Sequence, residues 1–455
     1  MVWINRGKVP VALTIAGSDS GGGAGIEADL KSFAAVGVHG TVAITAITAQ
    51  NTVEVRRIQE IDLDVIRSQI EAVADDIGVD AAKTGMLYSS RVIQVVAESV
   101  EEYGFPLVVD PVIIAKSGAR LLKEEAIETL IERLIPLATV VTPNRFEAEE
   151  ISGVKITCLA EASEAARRIK RMGPKVVVVK GGHIGREESA DVICYDEGLR
   201  TISTPRIDTN TTHGTGCSFS AFIAGLIARG YEEVEAVEEA KRLIYEAIKF
   251  GIPVGRGHGP VNPMAEIYKE SEKWRCYVQL MEAYRRLRKS PKIGEAVPEV
   301  RMNIVYALPY AEDVSDVYGF PGRLTFVEGE LRYLSPPAPG GSSHMARAVL
   351  EYMKKYPEIR SCMNIRFDSR IVEAARKTGF KVGYFSRSEE PKEIREREGG
   401  SIPWGVRTTL ERMNMRLDVI YDEGGLGREP MIRIFGKDPL ETVKKTLKIL
   451  DEAFK

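Results

Sequence analysis

The chain has 455 residues, of which 28% are charged and 44% hydrophobic, and its formal net charge is −3. This length allows two or three domains with buried cores, and the near-neutral charge argues against non-specific binding of nucleic acid. No apolar run reaches the roughly 18 residues of a membrane-spanning helix, and five scattered cysteines without a Cys-x-x-Cys pair exclude a disulfide framework or zinc ribbon. With no signal-peptide pattern at the start, we expect a cytoplasmic protein with reduced thiols.

Short apolar runs alternate with helical patterns over residues 10–260. The predicted strands are 10–16, 41–48, 79–84, 106–110, 138–142 and 175–180. The predicted helices are 24–36, 58–74, 89–103, 123–134, 160–172 and 218–229. Because strands buried on both faces are nearly continuous apolar runs, this alternation predicts an α/β class with a mainly parallel sheet.

A glycine-rich stretch at 251–260 ends this first unit. Asn262 and Pro263 then predict the start of one long helix, 264–289, whose basic end complements the helix dipole. We therefore predict a first domain at 8–262, a helix and linker at 263–299, and a second, smaller mixed α/β domain at 300–455. In the second domain, 305–309 predicts a strand and 346–356 a helix.

Two glycine-rich turns precede predicted helices. The stretch 17–26 matches neither the Walker A pattern nor the dinucleotide fingerprint, so by itself it is as readily a structural turn as a ligand loop. In the second turn, Gly214, Thr215 and Gly216 aim backbone N–H groups at one point, which suits a transferring phosphoryl group. Cys217 follows at the helix start, where a thiol pKa tends to fall; the alternative is a small packed thiol beside a structural turn.

Polar side chains stand where successive predicted strands end. They are Asp110, the pair Asn144 and Glu147, and Lys180. The carboxyl ends of strands gather functional residues in open α/β sheets, and carboxylate and amide oxygens suit Mg²⁺. Each residue alone is more often a surface polar group, but together they favour a phosphate and magnesium site at one sheet edge.

The chain resembles hydroxymethylpyrimidine/phosphomethylpyrimidine kinases of the ribokinase-like superfamily over about residues 8–262. The motifs that carry the resemblance are 13–33, 49–52, 83–87, 110–112, 115–118, 142–144, 180–183 and 212–217. The resemblance implies a ribokinase-like fold, with a mainly parallel central sheet flanked by helices. It also implies the use of ATP and Mg²⁺ to phosphorylate 4-amino-5-hydroxymethyl-2-methylpyrimidine twice, in thiamine biosynthesis.

The same resemblance implies a role for individual residues. Gln50 would bind the aminopyrimidine edge, in a pocket shaped by Gly17, Asp29, Met86 and Val112. Mg-ATP would be ordered by Asn144, Glu147, Gly214, Thr215 and Gly216, with Asp110 and Glu147 as the metal ligands. Lys180 would touch phosphate and Cys217 would be the general base. Gly21 and Glu27 depart from the family pattern, which normally has serine and glutamine there.

In the second domain, Arg323 ends a turn, and Ser342, Ser343 and His344 precede a helix, where hydroxyl groups and the dipole suit phosphate. Period-2 alternation places Asn364, Arg366 and Asp368 on one strand face. The segments 319–324, 340–346, 363–368 and 418–430 resemble a thiamine-phosphate synthase domain found fused to such kinases. That implies condensation with a thiazole phosphate, with Arg323 stabilising the departing pyrophosphate and His344 orienting or protonating it.

Two alternatives remain open at this point. The first domain could phosphorylate pyridoxal or a nucleoside, and the second could be a non-catalytic sensor of thiamine phosphate. No helix-turn-helix unit with a basic recognition helix is evident, which disfavours a DNA-linked sensor. The partners expected are small-molecule substrates and further copies of the chain, without nucleic acid or membrane.

Overall fold

The computed structural model describes residues 9–113, 121–122, 125–182, 187–396, 399–425 and 427–455. Contacts divide the chain into two compact units, one ending at Ile267 and the other spanning Tyr268–Lys455. The predicted motif 115–118, His183, and Leu426 of the segment 418–430 lie outside the described residues.

The described part of the first unit is built on a sheet with the strand order β3-β2-β1-β4-β5-β6-β7-β8-β9. The strands are β1 (Val11–Asp19), β2 (His39–Gln50), β3 (Val55–Glu60), β4 (Ala81–Thr84), β5 (Leu107–Val109), β6 (Val140–Val141), β7 (Val176–Val179), β8 (Glu188–Tyr195) and β9 (Gly198–Pro205). The six strands from β2 to β7 pair in parallel, and the outer strands β3, β8 and β9 pair antiparallel. The predicted mainly parallel sheet is therefore confirmed.

Helices cover both faces of this sheet. They are α1 (Gly25–Ala35), α2 (Leu63–Asp76), α3 (Ser90–Tyr103), α4 (Glu125–Thr129), α5 (Arg145–Ser152), α6 (Leu159–Lys170), α7 (Thr215–Ala228) and α8 (Glu233–Lys249). Within β7, Val177 and Val179 belong to the core on one face, while Val176 and Val178 belong to the core on the other. Successive side chains of a strand point to opposite faces, so a strand covered on both sides must be apolar throughout.

The secondary-structure prediction for this unit is wrong at β3 and misses four elements, the strands β8 and β9 and the helices α5 and α8. The predicted helix 58–74 begins later in the structure. Val55–Glu60 is an edge strand, and α2 starts at Leu63. Asp62 caps this helix, because its side chain accepts a hydrogen bond from Asp64 N. The hairpin β8–β9 was not predicted. Its second strand, Gly198–Pro205, alternates between exposed and half-buried residues at the sheet edge, so it lacks the apolar run used to find strands.

The second unit contains a mixed sheet with the strand order β14-β11-β10-β15-β18-β17-β16, and a separate hairpin, β12–β13. The strands are β10 (Asn303–Ala307), β11 (Val317–Gly319), β12 (Leu324–Val327), β13 (Glu330–Tyr333), β14 (Ala338–Pro339), β15 (Ser361–Arg366), β16 (Val382–Tyr384), β17 (Val419–Asp422) and β18 (Met431–Gly436). The helices are α9 (Ala265–Arg288), α10 (Ser343–Met353), α11 (Ser369–Lys377), α12 (Lys392–Glu396), α13 (Ser401–Met413) and α14 (Pro439–Ala453). The predicted second mixed α/β domain is confirmed.

The segment predicted as a linker, 290–298, is partly core. Its residues Ile293 and Ala296 form a short 3₁₀ turn and are buried with Leu280 and Leu287 of α9. Most of α9 therefore contributes its apolar face to the second unit.

Candidate active site

The polar residues predicted at the ends of neighbouring strands come together in the structure. Asp110 follows β5 and Lys180 follows β7, and the lysine Nζ lies 2.9 Å from Asp110 Oδ1. Thr142, which follows β6 between them, donates to the same carboxylate oxygen at 3.4 Å. Burial lowers the pKa of Lys180, but the charges of Asp110 and Glu147 outweigh this and hold that pKa above its usual value. The result is a charged lysine anchored at the sheet edge.

The first turn of α7 lies against this ion pair. A Cβ atom on Gly216 would lie 3.3 Å from Lys180 Nζ and 3.4 Å from Asp110 Oδ2. The first backbone N–H groups of a helix have no partner inside the helix, so this turn presents donors and the positive end of a dipole beside the lysine. The predicted phosphate residues Gly214, Thr215, Gly216 and Lys180 are therefore neighbours.

Asn144 and Glu147 form a capping box at the start of α5. The Asn144 side chain accepts from Glu147 N at 3.1 Å, and Glu147 Oε2 accepts from Asn144 N at 2.7 Å. Burial raises the pKa of the Glu147 carboxyl to about 7, with Lys180 lowering and Asp110 raising it. The sequence analysis assigned both residues to Mg-ATP, and the structure adds that they hold the helix start in place.

The two glycine-rich turns contact each other. Gly214 has φ +77°, and a Cβ there would lie 1.8 Å from the carbonyl oxygen of Gly23. Gly25 has φ +58°, and a Cβ there would lie 2.3 Å from the oxygen of Gly17. Only glycine allows both this close approach and this backbone conformation without strain. The turn whose role the sequence left open thus belongs to the same site as the phosphate turn.

Beneath Cys217 lies a fully buried ion pair that the sequence analysis did not find. Lys83 Nζ lies 2.9 Å from Asp29 Oδ2, which also accepts from Thr14 Oγ1 at 2.6 Å. Burial lowers the pKa of Lys83, but Asp29 and the other nearby acidic groups reverse the shift and raise it. The lysine lies inside the buried strand β4, one residue before its end, whereas Lys180 follows its strand. Asp29 has no exposed surface, so its role as a pocket residue stays a prediction.

The expectation of a lowered thiol pKa at Cys217 is wrong. Burial raises the pKa of this thiol to about 11, against the lowering effect of the nearby Lys83, while Asp29 and Asp110 raise it further. Desolvation of the thiolate and the negative charge of two carboxylates together outweigh the stabilisation that a helix N-terminus gives to a thiolate. The thiol therefore carries its proton at neutral pH.

Three of the predicted pocket residues are neighbours. Gly17 faces Met86, since a Cβ on the glycine would lie 3.3 Å from the methionine Sδ. Met86 is buried in a small apolar cluster with Ala46, and Val112 packs against that cluster half-buried. Gln50 lies at the end of β2, and its Nε2 is 3.2 Å from His213 Nε2 in the phosphate turn.

A polar network joins the two turns to Gln50. His213 Nε2 lies 2.9 Å from Asp19 Oδ2, and Glu27 accepts from Ser18 Oγ at 2.6 Å and from Asp19 N at 2.8 Å. Glu27 was noted in the sequence as a departure from the family pattern, and here it braces the first turn. The sequence analysis missed Asp19 and His213, although both lie inside the motifs it used.

In the second unit, Arg323, Ser342, Ser343 and His344 line one cavity of about 480 Å³. The start of α10 forms one wall, and the turns at Arg301 and Gly322 form another. Arg301 donates to Gly322 O at 3.3 Å and Arg323 donates to Val300 O, so the two turns hold each other. The four residues predicted from two separate motifs therefore share a site, which also includes the unpredicted Arg301.

The other predicted residues of this unit lie outside the residues that line the cavity. Asn364 is buried in β15, where it accepts from Asn303 N at 2.7 Å and donates to Arg301 O at 3.1 Å. Arg366 ends the strand. The prediction that Asp368 belongs to this strand is wrong, because it lies beyond β15 and caps α11 by accepting from Arg370 N at 2.8 Å. Its carboxylate still lies 3.8 Å from the Arg366 guanidinium. Asn364 thus supports the cavity from behind.

A buried charge cluster surrounds Asp422, the last residue of β17, in the segment 418–430. Asp422 accepts from Arg387 Nε at 2.9 Å and from Arg433 Nη1 at 2.8 Å. Burial would raise the pKa of Asp422, but the two guanidinium groups outweigh it and lower that pKa. The sequence analysis noted this segment without assigning these residues, since the arginines are distant in the chain.

No helix in the described part of the chain is both long enough and apolar enough to cross a membrane. Over the same residues, no three histidine, cysteine or acidic side chains cluster as a ready metal site.

Family models match two segments of the chain. Residues 19–262 match the phosphomethylpyrimidine kinase family, and residues 279–448 match thiamine-phosphate synthase ThiN. A hydroxymethylpyrimidine/phosphomethylpyrimidine kinase of Bacillus subtilis is 45% identical over 256 residues, which are 56% of this chain and 94% of that protein. The thiamine biosynthesis bifunctional protein ThiED of Geobacter sulfurreducens is 46% identical over 258 residues, 56% of this chain, and the match spans about half (52%) of that relative.

Solved structures of pyridoxal kinases share the fold of the first unit. The Bacillus subtilis enzyme in an ADP complex is 40% identical with a TM-score of 0.54, covering 57% of this chain and 99% of that one. The Staphylococcus aureus enzyme with pyridoxal is 36% identical with a TM-score of 0.54, covering 57% and 95%. These neighbours confirm the predicted ribokinase-like fold. The chain belongs to the phosphomethylpyrimidine kinase family, and its residues 279–448 match the model of the thiamine-phosphate synthase ThiN family.

Proposed function

We propose that the first unit phosphorylates hydroxymethylpyrimidine and then its monophosphate with ATP, and that the second unit condenses the resulting pyrophosphate with thiazole phosphate. Thiamine phosphate is the product. The observation that carries the kinase assignment is the meeting of Lys180, Asp110 and Gly216 at the start of α7. A charged lysine and free helix N–H groups there suit the phosphoryl group in transfer.

Relatives support ATP as the phosphoryl donor. The Staphylococcus aureus pyridoxal kinase has been solved with ADP and with AMP-PCP together with pyridoxal, at 35% identity to this chain. In the proposed reaction, the hydroxymethyl oxygen attacks the terminal phosphorus and the bond to ADP breaks. The alcohol proton passes to Cys217 in the small fraction of molecules in which it is a thiolate. Lys180 and the turn Gly214–Gly216 hold the transferring group.

Magnesium fits the carboxylates of this site. Glu147 is buried, its pKa is raised to about 7, and the charge of Asp110 is one of the causes. A buried carboxyl whose ionisation is disfavoured by a second carboxylate nearby suits a cation beside it, and Mg²⁺ commonly takes one or two carboxylates plus phosphate oxygens and water. Asp110 and Glu147 would hold the ion, which would neutralise charge on the phosphates.

For the second unit, we propose that the cavity at the start of α10 binds the pyrimidine pyrophosphate. Arg323 and Arg301 supply positive charge, and Ser342 and Ser343 supply hydroxyl groups at a helix start. His344 lies in the same lining, where it can orient or protonate the departing pyrophosphate. The match to the ThiN family favours this enzyme over the sensor alternative.

An assay of the whole chain tests both steps at once. Incubation with the pyrimidine alcohol, ATP, Mg²⁺ and thiazole phosphate should yield thiamine phosphate, detected by mass, with the mono- and pyrophosphate as intermediates. If preformed pyrimidine pyrophosphate and thiazole phosphate give no thiamine phosphate, the synthase assignment fails and the sensor alternative is supported. If no pyrimidine phosphate forms, the kinase assignment fails.

Pyridoxal is the second candidate substrate of the kinase unit. The solved neighbours that favour it are pyridoxal kinases, 35–40% identical to this chain. Comparison of kcat/KM for pyridoxal and the pyrimidine alcohol decides between them, and a clear preference for pyridoxal would overturn the pyrimidine assignment. Cytoplasmic location and association of identical chains stay predictions, the latter to be checked by light scattering.

A further inference from the structure

His213 contacts two side chains with one ring nitrogen. Its Nε2 lies 2.9 Å from Asp19 Oδ2 and 3.2 Å from the carboxamide end of Gln50. The imidazole also lies close against the first glycine turn, since a Cβ on Gly23 would lie 2.5 Å from its Cδ2. The ring is therefore held between the two turns and has little freedom to rotate.

The carboxylate of Asp19 decides where the imidazole proton lies. Asp19 accepts backbone N–H groups from Gly21 at 2.8 Å, Gly23 at 3.1 Å and Ala24 at 2.9 Å. Burial would raise the pKa of Asp19, but the bond from His213 and these N–H groups lower it, so the carboxylate is ionised and only accepts. Nε2 of His213 therefore carries a proton, in the neutral ring as in the charged one.

Thr48 constrains the other end of the Gln50 carboxamide. Its hydroxyl lies 2.9 Å from Ser18 O and 3.3 Å from the Gln50 carboxamide. A carbonyl oxygen only accepts, so the single hydroxyl proton is used on Ser18. Towards Gln50 the hydroxyl must accept, which requires the carboxamide nitrogen on that side.

The structure places Gln50 Nε2 toward His213 and Oε1 toward Thr48, but both neighbours favour the reverse assignment. A protonated His213 Nε2 has no lone pair to accept an N–H, so the carboxamide oxygen belongs on the side of His213 and its nitrogen on the side of Thr48. The two ends of a carboxamide have nearly the same shape and are distinguished by their partners. In this orientation one N–H and one oxygen lone pair remain, side by side and in a defined order, for a ligand.

We propose that His213, held by Asp19, is a positioning residue. It fixes the Gln50 carboxamide in the orientation whose free N–H and oxygen can bind the edge of an aminopyrimidine. The proposal rests on the proposed function, in which Gln50 meets the heterocycle. The 4-aminopyrimidine edge offers an amino donor beside a ring-nitrogen acceptor. The 4-oxo analogue offers the reverse, a ring N–H beside a carbonyl. A carboxamide free to turn over accepts either edge, whereas the locked one selects the amino form.

The test measures kcat/KM for the 4-amino alcohol and for its 4-oxo analogue in the whole chain. In His213→Met, which lacks the N–H, we expect the amino-to-oxo ratio to fall by about tenfold or more, because a two-bond base contact typically discriminates by that much. The change should appear mainly as a higher KM for the amino substrate, with KM for ATP unchanged. His213→Gln, which can place a donor near the same point, should keep the ratio.

An unchanged ratio in a folded His213→Met would overturn the inference while leaving the kinase assignment intact. Should that variant fail to fold, Thr48→Val, which removes the other condition on Gln50, takes its place, and an unchanged ratio there would overturn it equally. If the unaltered protein phosphorylates neither pyrimidine, it is the proposed function that fails.

Discussion

Cys217 is subject to opposing influences on its proton. It starts α7 beside the buried Lys83, which favours the thiolate, but burial and the carboxylates of Asp29 and Asp110 prevail and raise the thiol pKa to about 11. A base with this pKa acts only through the small thiolate fraction. That fraction grows about tenfold per pH unit below the pKa.

We therefore expect Cys217→Ala to lower kinase kcat by about 10²-fold, a usual cost of losing a general base. In the unaltered protein kcat should rise with pH above neutrality, and in the variant this rise should be lost. Steady-state kinetics across pH check both. Cys158→Ala, at an exposed thiol, is the control and should change neither. A pH profile that Cys217→Ala leaves intact would remove the thiol from the role of base.

At the scale of elements, α8 is tied to the hairpin strand β8 by a buried ion pair. Lys241 Nζ lies 2.8 Å from Asp191 Oδ2, and both side chains are nearly inaccessible. The other oxygen, Asp191 Oδ1, accepts from Gly181 N at 2.9 Å, next to Lys180. The contact thus connects the helix α8, the strand β8 and the segment that follows β7.

Lys241→Met should destabilise the first unit by about 3–5 kcal/mol, because it leaves Asp191 buried without its cation. Lys175→Met is a matched control, since Lys175 makes an exposed pair with Glu233 at 3.4 Å, and its loss should cost less than about 1 kcal/mol. Urea denaturation of both variants measures the difference. Equal free energies of unfolding for the two would contradict the structural role given to the buried pair.

At the scale of the whole chain, the two units have separate cores and separate candidate sites. The proposed phosphate site lies at the carboxyl ends of β5 and β7, and the second cavity lies at the start of α10. Each unit builds its site from its own residues, so a change in one site should leave the other reaction alone.

His344→Ala should therefore lower thiamine phosphate formation from the preformed pyrophosphate by about 10²-fold, since the variant loses a group that orients or protonates the leaving pyrophosphate. Phosphorylation of the pyrimidine alcohol by the same preparation should be unchanged and serves as an internal control for folding. Equal loss of both activities would contradict the picture of two independent sites.

Much of the fold was predictable because burial on both faces makes strands such as Val176–Val179 apolar throughout. The hairpin β8–β9 was not predictable, because an edge strand with a solvent-exposed face lacks a continuous apolar run. Among the site residues, Lys180 and Asp110 could be found at strand ends. Asp368 was misplaced, because period-2 spacing cannot show where β15 ends and a helix cap begins.

The sequence by itself determined the α/β class, the mainly parallel sheet and the glycine turns at helix starts, since these follow from local periodicity and backbone freedom. Only the tertiary structure decided that Gly23 meets Gly214, that Lys83 is buried with Asp29, and that His213 lies between Asp19 and Gln50. Those contacts join residues far apart in the chain. Their protonation and orientation depend on burial and on neighbouring charges, which no local pattern contains.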